Sequence, residues 1–280
     1  MRWLTLSVRE YAAAARGRLL VSAMAFCLVV GLGNSLLYVN AYERGPELIE
    51  TVGITGAMFM ILSGVVPVLA VVASSDAVAR KRSRGTLRVM LGLPYNRLDI
   101  VAGTFVGRYA VVATAVALYV SVVALTSVVI GGPLGVERLA AFFAITLLLA
   151  MVFTGLAVCL SLQTRSVTRA FAGSLVVLAV FLFRLWGFVP TVVELVRNGM
   201  VAPETMPEWG LVFQQLNPIR AFTSALIGLY PELASAHFLG EVVEPPVPYY
   251  HQPSFALAVL AGWVLVPLVV AYLRFRTADV

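Results

Sequence analysis

The sequence predicts an all-α polytopic membrane protein with six transmembrane helices, and two observations lead to this fold class. The first is composition, since 60% of the 280 residues are hydrophobic, only 12% are charged and the mean hydropathy is +0.93. One water-soluble core of this size cannot bury so much apolar surface, so lipid must cover the rest. The second is a set of six apolar runs, each about as long as the roughly 20 residues that a helix needs to cross a bilayer.

The six runs give the predicted membrane spans in chain order. They occupy residues 19–39, 51–74, 100–130, 139–162, 170–190 and 254–273. Each should be a helix, because the bilayer offers no hydrogen-bond partner to an open backbone, whereas a helix satisfies its own backbone groups. Residues 1–280 are therefore expected to form a single transmembrane domain.

The N-terminal segment, residues 1–18, is too short and too polar to cross the membrane. Leu4, Val8, Tyr11 and Ala15 fall on one face of a helix. We expect an amphipathic helix that lies flat at the inner membrane surface. A membrane-anchoring extension without a mechanical task is the alternative.

Basic residues are concentrated in segments that six spans place on one side of the membrane. Fourteen lie there, against four on the other side, where ten carboxylates also lie. The fourteen are Arg2, Arg9, Arg16, Arg18, Arg80, Lys81, Arg82, Arg84, Arg88, Arg97, Arg165, Arg169, Arg274 and Arg276. This asymmetry predicts cytoplasmic N- and C-termini in the cell membrane. The formal charge of +6 thus reflects orientation and lipid contact, and a nucleic-acid partner is not implied.

The loop of residues 75–99 between the second and third spans is the most informative part of the sequence. Arg80, Arg84 and Arg88 stand four residues apart and predict a basic stripe, beside an apolar patch that includes Leu87 and Leu91. Pro94 should end this helix, and Asn96 is placed to cap the next one. Such a helix suits docking in a groove of a soluble partner. A basic loop attracted to anionic headgroups is the alternative.

The loop of residues 191–253, on the opposite side, is too long for a plain connector. Its apolar stretch from Gly210 to Leu229 is interrupted at Asn217-Pro218. This turn predicts two short half-helices that dip to the membrane surface before the last span, in place of one full span.

The sequence offers no residues for catalysis or cofactor binding. No glycine-rich loop ends in Gly-Lys-Ser or Gly-Lys-Thr, so no site for ATP is expected in this chain. Cys27 and Cys159 lack partners at metal-ligand spacing and are expected to be buried apolar thiols. His237 and His251 are expected to be surface residues, with paired copper or zinc ligation as the alternative. We therefore predict no catalytic residue, no metal and no bound cofactor.

Two arginines fall inside the predicted spans, where charge is costly and points to function. Arg108 lies near the cytoplasmic end of the third span and can reach the headgroups. Arg184 lies deeper in the fifth span. We expect it to face the bundle interior and to meet an anionic group of a substrate or a partner carboxylate, or else to reach outward to the headgroups.

The stretch from Val78 to Tyr109 resembles the signature of type-2 ATP-binding-cassette exporter permeases. The matching features are Gly85-Thr86-Leu87, Leu93-Pro94, Arg97, Asp99-Ile100-Val101, and Gly103 through Gly107-Arg108. The six spans, the basic N-terminus and the long last outer loop agree with that family over nearly the whole chain. Within the family, the chain resembles prokaryotic permeases of the kind found in nitrous-oxide-reductase maturation systems.

The resemblance implies a non-enzymatic permease subunit that exports a substrate and works as a dimer of membrane subunits, with an identical or paralogous second copy. It also implies two copies of a separate ATPase subunit, which bind the ATP and Mg²⁺. The segment before Gly-Thr-Leu would be the coupling helix on that ATPase. The residues so assigned are Arg80, Lys81, Arg84, Gly85, Thr86, Leu87, Arg88, Leu91 and Pro94.

Lys81 departs from the family pattern, which has Glu four residues before the glycine. The reversed charge implies either an altered contact with the ATPase or a compensating acid on this protein's own partner. A different class of function is also open: an integral-membrane enzyme or assembly factor that acts through the acidic outer loop without an ATPase.

Overall fold

Twelve α-helices and two short 3₁₀ helices form the part of the chain that the computed structural model describes. That part comprises residues 2–44, 46–92, 95–132, 134–201, 205–236 and 246–277, of which residues 46–52, 88 and 91 are described by their backbone alone. The helices are α1 (Arg2–Arg16), α2 (Leu19–Arg44), α3 (Pro46–Ser74), α4 (Ala79–Ser83), α5 (Thr86–Leu91), α6 (Arg97–Val129), α7 (Val136–Gln163), α8 (Val167–Leu182), α9 (Leu185–Arg197), α10 (Glu208–Gln215), α11 (Pro218–Leu229) and α12 (Pro253–Thr277). The predicted all-α polytopic membrane fold is confirmed.

Among the described residues, five stretches are long and apolar enough to cross a membrane, namely α2, the stretch Gly53–Ser83 that contains most of α3, α6, α7 and α12. The fifth predicted run, residues 170–190, is not one straight helix. It begins three residues early as α8, ends at Leu182, and bends by 66° into α9. Arg184 adopts a left-handed backbone conformation there (φ 61°), which an α-helix cannot continue through.

If the bent pair counts as one span, the described residues contain six candidate spans, as the sequence predicts. Arg82 Nη1 donates to the Leu162 carbonyl at 3.2 Å, and Arg274 Nη1 donates to Gln163 Oε1 at 3.0 Å. These bonds bring the 75–99 loop, the end of α7 and the end of α12 to the same end of the bundle. Helix α12 finishes at that end, so it must begin at the opposite one. The chain leaves α7 at the first end, and α8 therefore has to carry it toward the opposite end, although its 16 residues extend only about 24 Å.

This end of the bundle is called the basic end, and it is formed by α1, the 75–99 loop and the end of α12. The structure thus gathers the segments that carry the predicted cytoplasmic arginines. At the opposite end, the short helices α10 and α11 meet at Leu216 and Asn217. The Asn217 side-chain oxygen caps α11 by accepting from the Ile219 N–H at 2.8 Å, and Pro218 is the first helical residue.

Helix α11 inserts between longer helices at the opposite end. Phe222 is fully buried, and its ring meets those of Phe59 in α3 and Phe142 in α7 at centroid distances of 5.8 and 6.4 Å. Phe59 lies six residues past the Gly53 break in α3, and Phe142 lies six residues past the start of α7, which is about 9 Å in each case. The half-helix therefore reaches well into the bundle, and its buried face is apolar except for Thr223.

Helix α1 packs along α6 at the basic end. The residues buried in this contact are Leu6, Ser7 and Ala14. Leu4 and Val8, which the sequence places on the apolar face, are exposed. The predicted helix is present. It buries a second face against α6, and Leu4 and Val8 stay exposed on the face that the sequence assigns to lipid.

Candidate functional site

The 75–99 loop is attached to α7 where it leaves α3. The backbone N–H groups of Val78 and Ala79 both donate to Ser161 Oγ in α7, at 3.0 and 2.9 Å. These donors belong to the first turn of α4, which has no partner for them within the helix. Ser161 therefore caps α4 from a neighbouring span, and the start of the loop is fixed to the bundle.

The loop contains two short helices in place of the predicted continuous one. The helix is interrupted at Arg84-Gly85, where Gly85 has a φ of 73°. A left-handed residue ends a helix, so the predicted stripe of Arg80, Arg84 and Arg88 does not run along a single helix. The Arg88 and Leu91 side chains and the predicted stop at Pro94 lie outside the described residues.

The break divides the predicted coupling residues into a buried set and an exposed set. Leu87 is fully buried in a cluster with Ile100 and Phe275, so it belongs to the core of the basic end. Arg84, Gly85 and Thr86 are exposed, as is Val89. We call these four residues the loop tip. Together with Arg80, whose side chain is 50% exposed, they are the part of the predicted coupling segment that a soluble partner can reach, among the side chains that the structure describes.

Lys81 points toward α1 and not toward the solvent. Its Nζ lies 2.7 Å from Glu10 Oε1 and donates to Thr104 Oγ1 in α6 at 2.9 Å. The two charged side chains are only 14% and 11% exposed. The reversed charge at this position is thus matched by an acid on the N-terminal helix of the same chain. A compensating acid on a partner is not needed.

Arg108 extends this ion pair into a larger group. It lies 4.0 Å from Glu10 and 3.8 Å from Asp76, which also pairs with Arg80. We call these five residues (Glu10, Asp76, Arg80, Lys81 and Arg108) the Glu10 cluster. Arg108 also donates to the Ala73 carbonyl at 2.8 Å and is only 15% exposed, so its guanidinium is held mainly by groups of the protein. The cluster links α1, α3, the 75–99 loop and α6.

Two glycines of α6 let α1 come close enough to form this cluster. A Cβ on Gly103 would stand 2.8 Å from Leu6 Cβ, and one on Gly107 would stand 2.5 Å from Glu10 Cβ and 2.9 Å from the Ser7 carbonyl oxygen. Real Cβ atoms do not approach other atoms so closely. The small-xxx-small spacing of Gly103 and Gly107 therefore serves the contact with α1.

The end of the loop is fixed to α12. Asn96 and Asp99 form a reciprocal capping box at the start of α6, so the predicted Asn96 cap is confirmed. Arg97 donates to the backbone carbonyls of Phe275 and Arg276, and its guanidinium lies 5.4 Å from the Phe275 ring centroid. Both ends of the 75–99 loop are thus bonded to membrane spans, while its tip remains exposed.

At the opposite end of the bundle, Arg184 stands at the break between α8 and α9. Its side chain is exposed and lines a cavity of about 400 Å³, together with Arg220 and Gln214 of the outer half-helices. It is not enclosed among the spans, in contrast to the predicted interior position. Asn217 also lines this cavity and donates to the Phe181 carbonyl at 3.0 Å, which holds α11 against the end of α8.

Sequence reasoning missed the residues that hold the loop in place. Glu10, Thr104 and Ser161 lie in three segments far apart in the chain, so no local pattern connects them. The sequence could have drawn attention to Glu10, because it is the only acidic residue in residues 1–18, which contain four arginines.

One family model, described as ABC-2 family transporter protein, matches residues 10–280. The match covers nearly the whole chain, including the 75–99 loop, the broken span and the outer half-helices. No curated protein shows significant similarity to the chain.

Proposed function

Because this chain belongs to the ABC-2 transporter family and is thus a membrane permease of an ABC transporter, we propose that it serves as an exporter driven by a separate ATPase subunit. The ATPase would be present in two copies and would bind the ATP and Mg²⁺. A second permease copy, identical or paralogous, would complete the complex. The similarity to permeases of nitrous-oxide-reductase maturation systems makes such a system the proposed setting.

The observation that carries the proposal is the attachment of the 75–99 loop. A segment that transmits force needs an exposed contact and a stiff connection to the element that it moves. The loop tip supplies the contact. Ser161, Arg97 and the Glu10 cluster connect the rest of the loop to α1, α6, α7 and α12.

The orientation belongs to the same proposal. The basic end would face the cytoplasm of the cell, with both termini, because it carries the basic residues that the positive-inside rule places there. The loop tip would then lie on the side where ATP is available.

The loop tip also determines which variants test docking. Substitution of the buried Leu87 would disturb the core of the basic end, so a weakened complex would not show that Leu87 touches the ATPase. Arg84 is exposed, and reversing its charge changes the surface without opening a cavity. Arg169, an exposed arginine at the start of α8, is the matched control.

The chain is co-expressed with the ATPase encoded beside it, and the complex is purified through a tag on the permease. We expect Arg84→Glu to reduce the amount of bound ATPase at least about tenfold, as for a lost charge-assisted contact at the centre of an interface. Arg169→Glu should retain the ATPase. Equal recovery of the ATPase with both variants would contradict docking at the loop tip. A chain that is active alone and indifferent to nucleotide would instead favour the enzyme or assembly-factor function.

A further inference from the structure

The cavity beside Arg184 has features that the coupling of an ATPase does not explain. It opens where α8 ends and α9 begins, and its other wall is made by α10 and α11. We call it the Arg184 cavity. Its volume of about 400 Å³ is within the range of small-molecule sites.

The charge in the Arg184 cavity is positive. Arg184 and Arg220 both line it, and none of its lining residues in the described part of the chain is acidic. Arg220 is held in position because its Nη1 donates to Gln214 Oε1 at 2.8 Å. Within the described residues, the Arg184 guanidinium forms no hydrogen bond or ion pair. Two guanidinium groups lining one cavity provide donors suited to a phosphate or carboxylate.

The start of α9 adds to this positive potential. Arg184 is the N-cap residue of α9, and no side chain accepts a hydrogen bond from the first turn. The first N–H groups of a helix carry a partial positive charge and favour an anion. The helix start therefore acts in the same direction as the two arginines.

The rim of the Arg184 cavity is aromatic. Phe181 is buried at its base, whereas Phe183 and Phe188 are 69% and 59% exposed. Helix α8 extends about 24 Å from the basic end, against a hydrocarbon core of about 30 Å, so the break would lie near the opposite membrane interface. At that level the exposed phenylalanines would face acyl chains, and the adjacent arginines would be within reach of headgroups.

From this arrangement we propose that the Arg184 cavity binds an anionic amphiphile. Its phosphate or carboxylate would lie between Arg184 and Arg220, and its apolar chain would lie along Phe183 and Phe188. The ligand would be either a resident bilayer lipid or a transported molecule of the same chemistry. Binding of the amphiphile at this cavity needs no ATPase. An experiment that finds no binding would therefore leave the proposed permease function untouched, and loss of ATPase docking would leave the binding proposal untouched.

The test uses the full-length chain in nanodiscs of phosphatidylcholine. Photoactivatable phosphatidylglycerol or photoactivatable phosphatidylcholine is added at equal mole fraction, and mass spectrometry counts the adducts on the chymotryptic peptides of α8 and α9. We expect the phosphatidylglycerol probe to give the higher yield. Combining Arg184→Gln with Arg220→Gln should reduce that preference roughly tenfold, as two charge-assisted contacts are lost.

Two further variants separate binding from a structural effect. Arg184→Lys keeps the cation and should keep most of the preference, whereas a purely structural role for this left-handed residue would make Lys and Gln equally harmful. Arg197→Gln removes an exposed cation of α9 outside the cavity and should change nothing. Equal yields for the two probes, an unaffected double variant, or an equal loss in Arg197→Gln would each overturn the proposal.

Two additional arms identify the source of the ligand. Loss of the adduct during ATP turnover by the complex would indicate a transported amphiphile, and an unchanged adduct would indicate a resident lipid. Both results agree with the proposed site. Competition by inorganic phosphate alone, at concentrations equal to that of the probe, would indicate a site for free anions and would overturn the amphiphile assignment.

Discussion

Lys81 shows how a single residue can depart from a family pattern while its charge remains balanced. The resembling permeases have Glu at this position, and the sequence alone leaves the consequence open. In the structure, Glu10 of α1 lies 2.7 Å from the lysine Nζ. The ion pair connects the N-terminal helix to the 75–99 loop, so α1 would follow any movement of that loop.

This ion pair can be tested by a double-mutant cycle of Lys81→Gln and Glu10→Gln. Each single change leaves a charge in a largely buried site without its main partner, so we expect each to lower the free energy of unfolding by about 3 kcal/mol. The double variant should lose less than the sum of the two, by about 1–3 kcal/mol. Unfolding of the purified chain in mixed micelles gives the four values.

Arg9→Gln is the matched control on the same helix. Arg9 is exposed and donates to the Tyr95 hydroxyl at 3.2 Å, so its loss should change stability by no more than about 0.5 kcal/mol. Strict additivity of the Lys81 and Glu10 changes would mean that the two charges do not interact.

At the scale of elements, helix positions could be predicted where length and apolarity decide them. The runs 139–162 and 254–273 became α7 and α12 with shifts of a few residues. The helix breaks could not be predicted. Arg184 and Gly85 both adopt left-handed conformations, and arginine has no local preference that indicates one.

In the candidate site, too, the features that depend on local sequence could be predicted, and those that depend on tertiary contacts could not. The Asn96 cap follows from local sequence, because a cap depends on neighbouring residues. The face of α1 that packs on α6 does not, since it depends on Gly103 and Gly107 in a helix almost a hundred residues away. Tertiary contact thus adds a second buried face, with Leu6, Ser7 and Ala14, beside the predicted lipid-facing stripe.

The contact between α1 and α6 depends on the missing side chain at Gly107. In Gly107→Ala, the new methyl group would overlap Glu10 Cβ and the Ser7 carbonyl oxygen, so α1 must move away. We expect a loss of about 1–3 kcal/mol in the free energy of unfolding. Protease cleavage after Arg9 or Arg16 should also become faster.

Gly262→Ala in α12 provides the comparison, because among the described residues no packing neighbour lies within 4 Å of the position that a Cβ would take there. This change should be neutral or stabilising by up to about 1 kcal/mol, since alanine favours the helix. Equal behaviour of the two alanine variants would contradict the close packing of α1.

At the scale of the whole molecule, the two ends of the bundle are held together by different kinds of interaction. The basic end is held by ion pairs and hydrogen bonds from α1, the 75–99 loop and α12. The opposite end is filled by aromatic packing of α11 against α3 and α7. In the proposed function, force enters at the basic end, and the spans carry it toward the outer half-helices and the Arg184 cavity.

The most direct test of this account is photocrosslinking in intact cells. A photoreactive amino acid replaces the exposed Thr86 in the loop tip or, as the control, the exposed Thr205 at the opposite end. The account predicts that position 86 forms an adduct with an ATPase chain, identified by mass spectrometry, and that position 205 forms none. An adduct at position 205, or no ATPase adduct at position 86 in cells that contain the active complex, would contradict it.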